Sequence, residues 1–164
     1  MRLLVFSDSH GRWDRLKAII DRSDADAILF LGDGIKDFDR IASDYSRNAI
    51  LIGVKGNCDG YDGTPDERIL ALDGVKILML HGHTRGVKHG LETLEAYGRI
   101  KGADLILYGH THVPHVKYVS EYDRPYYIFN PGSIGAQCYD GASYGYIEFV
   151  NGKIVANHVK YEGV

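Results

Sequence analysis

The chain has 164 residues, a hydrophobic fraction of 45%, a charged fraction of 25% and a net charge of -3. This length is typical of one domain, and we expect residues 1–164 to fold as a single domain. Lys and Arg are scattered, which argues against a stable complex with long nucleic acid, because such complexes need clustered positive charge. The two cysteines, Cys58 and Cys138, form no CxxC pair and favour a reducing compartment.

Short apolar runs alternate with amphipathic segments in the first two thirds of the chain. The runs predict buried strands at residues 3–6, 27–31, 49–54, 75–80 and 103–108. The first run is too short for a signal peptide or a membrane span, so we expect a cytoplasmic protein with no membrane partner. Helical periodicity predicts three helices, with apolar faces at Trp13, Leu16, Ile19 and Ile20; at Phe38, Ile41, Ala42 and Tyr45; and at Leu91, Leu94 and Ile100. This alternation indicates βαβ units with parallel strands.

The last third of the chain has a different pattern, in which apolar and polar residues alternate. It predicts antiparallel strands at residues 113–120, 126–130, 143–150 and 153–161. Asn151-Gly152 and Asp73-Gly74 are dipeptides that type I′ hairpin turns prefer. Five tyrosines are expected to pack the second sheet, with a subunit contact in a homo-oligomer as the alternative: Tyr118, Tyr126, Tyr127, Tyr144 and Tyr146.

Residues of the metal-binding types follow five of the predicted strands. They are Asp8 and His10, then Asp33, then Asn57, then His81, and finally His110 and His112. In α/β sheets the carboxyl ends of parallel strands meet at one edge, which is where ligands bind. A single residue of this kind is usually a turn or cap residue, but five such strand ends are hard to explain in that way. We therefore expect all seven side chains to converge.

The donor atoms of this set are imidazole nitrogens and carboxylate or amide oxygens. These donors suit Mn²⁺, Fe²⁺, Ni²⁺, Co²⁺ or Zn²⁺ better than Ca²⁺. Seven protein ligands exceed what one catalytic ion keeps, because such an ion needs an open position for water. The set therefore indicates two divalent metal ions that share a carboxylate. Cys58 lies in the same region, and we interpret it as a small buried thiol rather than a ligand.

The sequence resembles the calcineurin-like metallophosphoesterases, because the motifs of that superfamily occur in it in the same order. The matching segments are Asp8-Ser9-His10, Gly32-Asp33, Gly56-Asn57-Cys58-Asp59, His81-Gly82-His83 and Gly109-His110-Thr111-His112. The short length, Gly56-Asn57-Cys58-Asp59 and Asn130-Pro131-Gly132-Ser133 are similar to the small bacterial and archaeal phosphodiesterase branch, to which the retromer scaffold subunit also belongs. The resemblance implies a four-layer α/β/β/α sandwich of two mixed β-sheets flanked by helices.

The resemblance also implies a role for each site residue. One ion would be held by Asp8, His10, Asp33 and His112, and the other by Asp33, Asn57, His81 and His110. The catalytic residues would be Asp33, Asn57 and His81, while the residues near the ions or the substrate would be Cys58, Asp59 and His83. Two positions depart from the family motifs. Lys36 replaces the second Asp of GDxxD, and Cys58 replaces a His that in many relatives contacts the phosphate or protonates the leaving group.

The expected function is that of a phosphodiesterase, rather than a monoesterase, acting on a small phosphate ester. We expect Mn²⁺ as the metal, with Ni²⁺, Fe²⁺, Co²⁺ or Zn²⁺ as alternatives. A hydroxide that bridges the two ions would attack phosphorus, because metal binding lowers the pKa of water. Without the motif His, esters with good leaving groups are expected to react best.

Two other interpretations of the same residues are considered. The first is a catalytically weak or inactive scaffold of this fold that binds other proteins. The retromer subunit shows that the family permits it, although there the ligand set is degraded, whereas all seven positions are intact here. The second is a metal-dependent amidohydrolase barrel, which needs about 200 residues or more and eight βα units.

Overall fold

The computed structural model describes residues 1–60, 63–135 and 141–163, so that Cys138 lies outside the described residues. The strands are β1 (Arg2–Phe6), β2 (Ala27–Phe30), β3 (Ile50–Gly53), β4 (Glu67–Leu72), β5 (Val75–Leu80), β6 (Leu105–Leu107), β7 (His115–Val119), β8 (Tyr126–Asn130), β9 (Ser143–Val150) and β10 (Lys153–Lys160). The helices are α1 (Trp13–Ile20), α2 (Ile35–Asp44) and α3 (Glu92–Lys101), with a short 3-10 helix at His83–Arg85.

The strands form two mixed sheets of five strands each. The first has the order β10-β9-β1-β2-β3, and the second has the order β4-β5-β6-β8-β7. The strands β1, β2 and β3 are parallel, as are β5, β6 and β8, whereas the other pairs are antiparallel. The predicted βαβ arrangement is confirmed. The strand at residues 126–130 was predicted to be antiparallel. This is correct only in part, because β8 is antiparallel to β7 but parallel to β6.

Three apolar cores fill the spaces between four layers. One core lies between the two sheets, a second between the first sheet and helices α1 and α2, and a third between the second sheet and α3. Successive residues of β1 alternate between the first two cores, with Leu3 and Val5 in one and Leu4 and Phe6 in the other. Burial on both faces explains why β1 is a continuous apolar run. The α/β/β/α sandwich is confirmed, and two separate sheets exclude the amidohydrolase barrel.

Each helix packs on its sheet through the apolar face that the periodicity predicts, with one exception. Helix α1 buries Leu16 and Ile20, and α2 buries Phe38 and Ile41. In α3 the side chain of Ile100 is 82% exposed, so its assignment to the buried face was wrong. None of the helices in the described part of the chain has the length and apolar character that a membrane crossing requires.

Both hairpin turns have the backbone conformation that their sequences predict. The φ angles are +49° at Asp73 and +78° at Gly74, and they are +50° at Asn151 and +74° at Gly152. Positive φ at both central residues is the requirement of a type I′ turn. The strand that precedes Asp73, β4, was not predicted from the sequence, because it is an edge strand without a fully buried residue.

The five tyrosines do not share one environment. Tyr126 and Tyr127 pack in cores of the second sheet, as expected. Tyr144 and Tyr146 instead belong to β9 of the first sheet and pack on the side of its helices. Tyr118 is 54% exposed and contacts the ring of Tyr127, with 4.7 Å between the ring centroids. The prediction that all five pack the second sheet was therefore wrong for Tyr118, Tyr144 and Tyr146.

The packing between the sheets predicts the effect of a substitution at Gly145. A Cβ atom there would lie 2.5 Å from Cε1 of Phe129, whose side chain is fully buried. We expect Gly145→Ala to lower the free energy of unfolding by about 1–3 kcal/mol, because overpacking forces a buried ring to move. Urea unfolding followed by circular dichroism measures this change. The control is Gly60→Ala, where a Cβ meets no atom of the described residues within 4 Å. Equal unfolding midpoints for the two variants would contradict the prediction.

Candidate metal centre

The loops that carry the seven predicted ligands come from two facing sheets rather than from one sheet edge. Asp8, Asp33 and Asn57 follow β1, β2 and β3 of the first sheet. His81 and His110 follow β5 and β6 of the second. The two sets of loops contact each other, since the backbone N–H of His110 donates to Asp8 Oδ2 at 3.1 Å. The candidate centre therefore lies where the carboxyl ends of both parallel strand groups meet.

The first group of converging side chains contains Asp8, His10 and His112. Their ligand atoms lie within 4.8 Å of one another. Nε2 of His112 is 3.0 Å from Asp8 Oδ1, and Nε2 of His10 is 3.8 Å from the same oxygen. The two imidazoles present their Nε2 atoms to each other at 3.3 Å. Three donor atoms of the types that bind transition metals thus face a common point.

The second group contains Asp33, His81 and His110, whose ligand atoms also lie within 4.8 Å of one another. Nε2 of His81 is 3.3 Å from Asp33 Oδ2 and 3.2 Å from Nδ1 of His110. The groups adjoin, because Nε2 of His81 is 3.9 Å from Asp8 Oδ1 and because His10, Asp33 and Cys58 form a further set within 4.8 Å. The structure therefore brings six of the seven predicted ligands together.

The seventh predicted ligand, Asn57, lies on the loop that also carries Cys58. Its side chain is exposed, and its Nδ2 donates a hydrogen bond to the sulfur of Cys58 at 3.3 Å. The described contacts do not join it to either group, so its role as a ligand stays a prediction.

Cys58 is exposed, which corrects the expectation of a buried thiol. Its backbone N–H donates to Asp33 Oδ1 at 2.7 Å. A hydrogen bond from the thiol to Asp33, together with burial, raises the pKa of Cys58 to about 11. The thiol is therefore protonated at neutral pH in the metal-free protein and is a poor nucleophile there.

The orientation of His81 leaves one ring nitrogen available to a cation. Its Nδ1 lies 2.8 Å from the carbonyl oxygen of Leu31. A carbonyl can only accept, so Nδ1 carries the proton of this hydrogen bond and Nε2 faces Asp33. A backbone carbonyl that fixes the tautomer in this way is a common partner of metal-binding histidines.

Asp8 provides a test of whether the site suits a cation. Oδ2 accepts hydrogen bonds from the Ser7 hydroxyl at 2.5 Å and from the backbone of His110 at 3.1 Å. Oδ1 is buried and accepts no hydrogen bond from the described residues, although Nε2 of His112 lies 3.0 Å away. A buried carboxylate oxygen that accepts no hydrogen bond is costly, and a bound cation would offset that cost. The donor set and this oxygen both fit a divalent metal ion.

Electrostatic coupling shifts the pKa values of the second group. Burial would raise the pKa of Asp33, but the hydrogen bond and charge of His81 hold it well below its usual range. Burial would lower the pKa of His81, but Asp33 and Asp8 raise it above its usual value. Burial and the charge of His81 lower the pKa of His110 to about 4. In the metal-free protein a proton on His81 therefore offsets the carboxylates, and a cation would compete with it.

The backbone at the candidate ligands adopts a conformation that the sequence did not reveal. Five of these non-glycine residues have positive φ: Asp8 (56°), His10 (45°), Asp33 (57°), His110 (68°) and His112 (60°). This left-handed region is sparsely populated by non-glycine residues, and its clustering at one place is typical of functional sites. The sharp turn after each strand directs the next side chain into the space between the sheets.

Asp59 fixes the loops of Asp33 and Asn57 to each other. Its carboxylate accepts four backbone N–H groups at 2.8–2.9 Å, from Asp33, Gly34, Ile35 and Gly56. A Cβ at position 56 would lie 2.2 Å from Asp33 Oδ1, so the close approach of these loops requires glycine there. Asp59 was predicted to lie near the ions or the substrate. In the structure its oxygens hold the backbone of these loops through hydrogen bonds.

Two residues that sequence reasoning missed hold the loops from the other side. Asn130 Nδ2 donates to the carbonyl of Gly109 and to Oγ1 of Thr111, both at 3.0 Å. The hydroxyl of Ser133 donates to the carbonyl of Asp8 at 2.8 Å. In the sequence, the motif Asn130-Pro131-Gly132-Ser133 carried only a resemblance to a family branch. Its position at the end of β8 was the signal that could have suggested a role at the metal centre.

His83 was predicted to lie near the centre, and it does. Its ring centroid is 5.5 Å from that of His81 and 6.1 Å from that of His110. Its Nδ1 is buried and has no hydrogen-bond partner among the described residues. Burial, followed by the charge of His81, lowers the pKa of His83, so the ring is neutral at pH 7.

Comparison with known proteins identifies the family. Residues 1–152 match the family model of the calcineurin-like phosphoesterase superfamily domain. The probable metallophosphoesterase YsnB of Bacillus subtilis strain 168 is 37% identical over 136 residues, which cover 82% of this chain and 75% of that protein. Phosphodiesterase YfcE of Escherichia coli K12 is 28% identical over 172 residues, which cover 90% of this chain and 88% of that protein. The chain belongs to the calcineurin-like phosphoesterase superfamily.

Solved structures of similar fold agree with this assignment. A conserved protein of Streptococcus pneumoniae TIGR4, described as a predicted phosphoesterase, has a TM-score of 0.78 and 26% identity over 99% of this chain and 94% of that chain. Vps29 of Entamoeba histolytica, solved in complex with zinc, has a TM-score of 0.71 and 24% identity over 97% and 98%. The second similarity concerns the fold alone.

The buried charge of Asp8 predicts opposite effects of Asp8→Asn with and without metal. In metal-free protein we expect the variant to unfold at a temperature equal to or above that of the wild type, because an amide replaces a costly buried charge. Its stabilisation by added Mn²⁺, about 2.7 kcal/mol for the wild type at 100 times the dissociation constant, is expected to be lost or strongly reduced.

Thermal unfolding in a chelator and in excess Mn²⁺ measures both effects. Asp14→Asn on the exposed face of α1 is the matched control and should keep the response to metal. An undiminished response to Mn²⁺ in Asp8→Asn would contradict the prediction.

Proposed function

We propose that this protein is a phosphodiesterase that hydrolyses a small phosphate ester with the help of two divalent metal ions. The observation that carries the proposal is the contact between the two Asp/His groups. His10 of the first group and Asp33 of the second have ligand atoms within 4.8 Å of each other. Two adjoining sets of donors, rather than one, are what a paired-metal site requires.

The proposed ligands follow the two groups. The first ion would be held by Asp8, His10, Asp33 and His112, and the second by Asp33, Asn57, His81 and His110. Asp33 would bridge, which is supported by its position between His10 and His81. When bound, the ions supply a water-derived nucleophile at neutral pH and stabilise negative charge on the phosphoryl oxygens.

The residues of the chain orient the ligands and set the charge of the site. The hydrogen bond from Nδ1 of His81 to Leu31 keeps Nε2 aimed at Asp33. His110 is neutral at pH 7 because burial lowers its pKa to about 4, so no proton has to leave before it binds a cation. Two carboxylates against two dications leave a net positive centre, which suits an anionic phosphate. Asp33, Asn57 and His81 are the proposed catalytic residues.

We propose Mn²⁺ as the metal, with Ni²⁺, Fe²⁺, Co²⁺ and Zn²⁺ as alternatives. The support is the donor chemistry, since imidazole and carboxylate donors dominate the described groups. We also propose a cytoplasmic location, which the free thiol of Cys58 supports. We propose that the protein does not bind long nucleic acid, which the net charge of -3 supports. A homo-oligomer remains a proposal.

A diester is the proposed substrate class. YfcE, which is named a phosphodiesterase, is similar over most of both chains. The position of the missing motif His is occupied by Cys58, whose raised pKa makes it a weak proton donor. The leaving group therefore receives little help from the chain.

The alternative is a scaffold that binds other proteins and performs no chemistry. The similarity to Vps29 in fold permits this alternative. The buried carboxylate of Asp8, which faces Nε2 atoms of His10 and His112, favours the enzyme, because a scaffold gains nothing from a buried charge among metal-binding donors.

Substitution of the proposed bridging ligand tests the function. We expect the wild type to hydrolyse bis-p-nitrophenyl phosphate with added Mn²⁺, and Asp33→Ala to lose at least about 10³-fold in kcat/KM because both ions lose a ligand. Release of p-nitrophenolate measures the rate, and circular dichroism checks the fold. Asp44→Ala at the exposed end of α2 is the control. Full activity of Asp33→Ala, or none in the wild type with any of the five metals, would overturn the proposal.

The nature of the leaving group tests the proposed diester preference. With the same metal, we expect aryl phosphodiesters to be hydrolysed about 10²-fold or more faster than alkyl phosphomonoesters, because proton donation to the leaving group is weak. Initial rates for a matched aryl and alkyl series give the comparison. Faster hydrolysis of alkyl monoesters would show that the chain supplies an effective general acid.

A further inference from the structure

A pocket of about 240 Å³ opens directly beside the candidate metal centre. Two of the proposed ligands, His10 and Asp33, form part of its wall. Lys36 and Cys58 line the same pocket. These are the two positions at which the sequence departs from the family motifs, and the fold brings them together from α2 and from the loop after β3. Both departures from the superfamily motifs therefore lie in one pocket next to the proposed reaction centre.

Besides Asp33, two carboxylates line this pocket, and both accept hydrogen bonds from the protein itself. Asp59 directs both oxygens to backbone N–H groups. Asp37 Oδ2 accepts from the hydroxyl of Ser9 at 2.6 Å and from the backbone of Gly11 at 2.8 Å. These hydrogen bonds hold the two side chains against the loops.

Lys36 differs from these carboxylates. Its side chain is exposed on the first turn of α2. Within residues 1–60, 63–135 and 141–163 it has no hydrogen bond or ion pair. An ammonium group without a partner keeps all three donors available to a ligand. The pocket thus carries a positive charge that is exposed to a ligand, in a wall that it shares with His10 and Asp33.

We propose that Lys36 determines specificity by binding a second anionic group of the substrate, a carboxylate or a further phosphate located a few bonds from the scissile phosphate. This inference rests on the proposed function. The volume of about 240 Å³ accommodates a short chain that ends in such a group. A Lys binds carboxylate and phosphate as a point charge, so both anions belong to one class of ligand.

Two substrates with the same leaving group test this proposal. They are p-nitrophenyl carboxypropyl phosphate and its neutral amide analogue, p-nitrophenyl carbamoylpropyl phosphate, each assayed with Mn²⁺-loaded protein. We expect the wild type to prefer the carboxylate roughly three- to tenfold in kcat/KM, mainly through a lower KM, as suits one exposed charge contact. The preference should weaken at high salt.

The variants of Lys36 give the decisive comparison. Lys36→Ala is expected to abolish the preference, Lys36→Glu to reverse it, and Lys36→Arg to retain most of it. Lys153→Ala, on the β9–β10 hairpin at the opposite end of the first sheet, is the control. Activity toward the neutral amide should change little in Lys36→Ala. An equal loss on both substrates would place Lys36 on the scissile phosphate and overturn the proposal, as would an unchanged preference.

A binding measurement separates this inference from the proposed function. Isothermal titration of the Mn²⁺-loaded protein with phosphonobutanoate and with phosphonobutanamide requires no catalysis. Tighter binding of the carboxylate to the wild type, lost in Lys36→Ala, supports the pocket even if no ester is hydrolysed, in which case only the proposed function fails. Hydrolysis of bis-p-nitrophenyl phosphate together with equal binding of both phosphonates overturns the inference and leaves the proposed function in place.

Discussion

The burial of two carboxylates between facing sheets is the constraint on which the rest of this structure depends. Asp8 is fully buried and Asp33 is 3% exposed, and both follow neighbouring parallel strands. Burial of an ionised carboxylate is very costly unless it is hydrogen-bonded or paired with positive charge. The oxygens therefore accept hydrogen bonds from the Ser7 hydroxyl and from backbone N–H groups of the loops. In the metal-free protein His81 supplies positive charge.

The strained backbone of the ligand loops follows from the same constraint. Residues at positive φ persist only where the surroundings over-determine them, at a cost of order 1–3 kcal/mol each. Here Asp59 fixes one side of the site through four backbone N–H groups, and Asn130 fixes the loop of His110 from the other. Neither residue belongs to the proposed ligands. Their contribution is to keep the side chains of separate loops within reach of a common point.

The sequence predicts the parts of this arrangement that have a local signal. Continuous apolar runs reveal β1, β2 and β5 because both faces of these strands are buried, and ligand-type residues follow directly after them. Edge strand β4 lacks that pattern and was missed. The meeting of two sheets, the positive φ angles and the roles of Asn130 and Ser133 depend on long-range contacts, which no local period encodes.

The balance between stability and function explains which departures from the family motifs the fold can accept. The carboxylates of Asp8 and Asp33 are buried and hydrogen-bonded to several loops, so a change there also affects those loops. Lys36 is exposed on the wall of the neighbouring pocket, where a side chain can change without leaving a buried group unpaired. Cys58 lines the same pocket, but its thiol is hydrogen-bonded to Asp33, so it is tied to the centre. The proposed determinant of substrate preference, Lys36, and the paired Asp/His groups therefore belong to different environments of the same site.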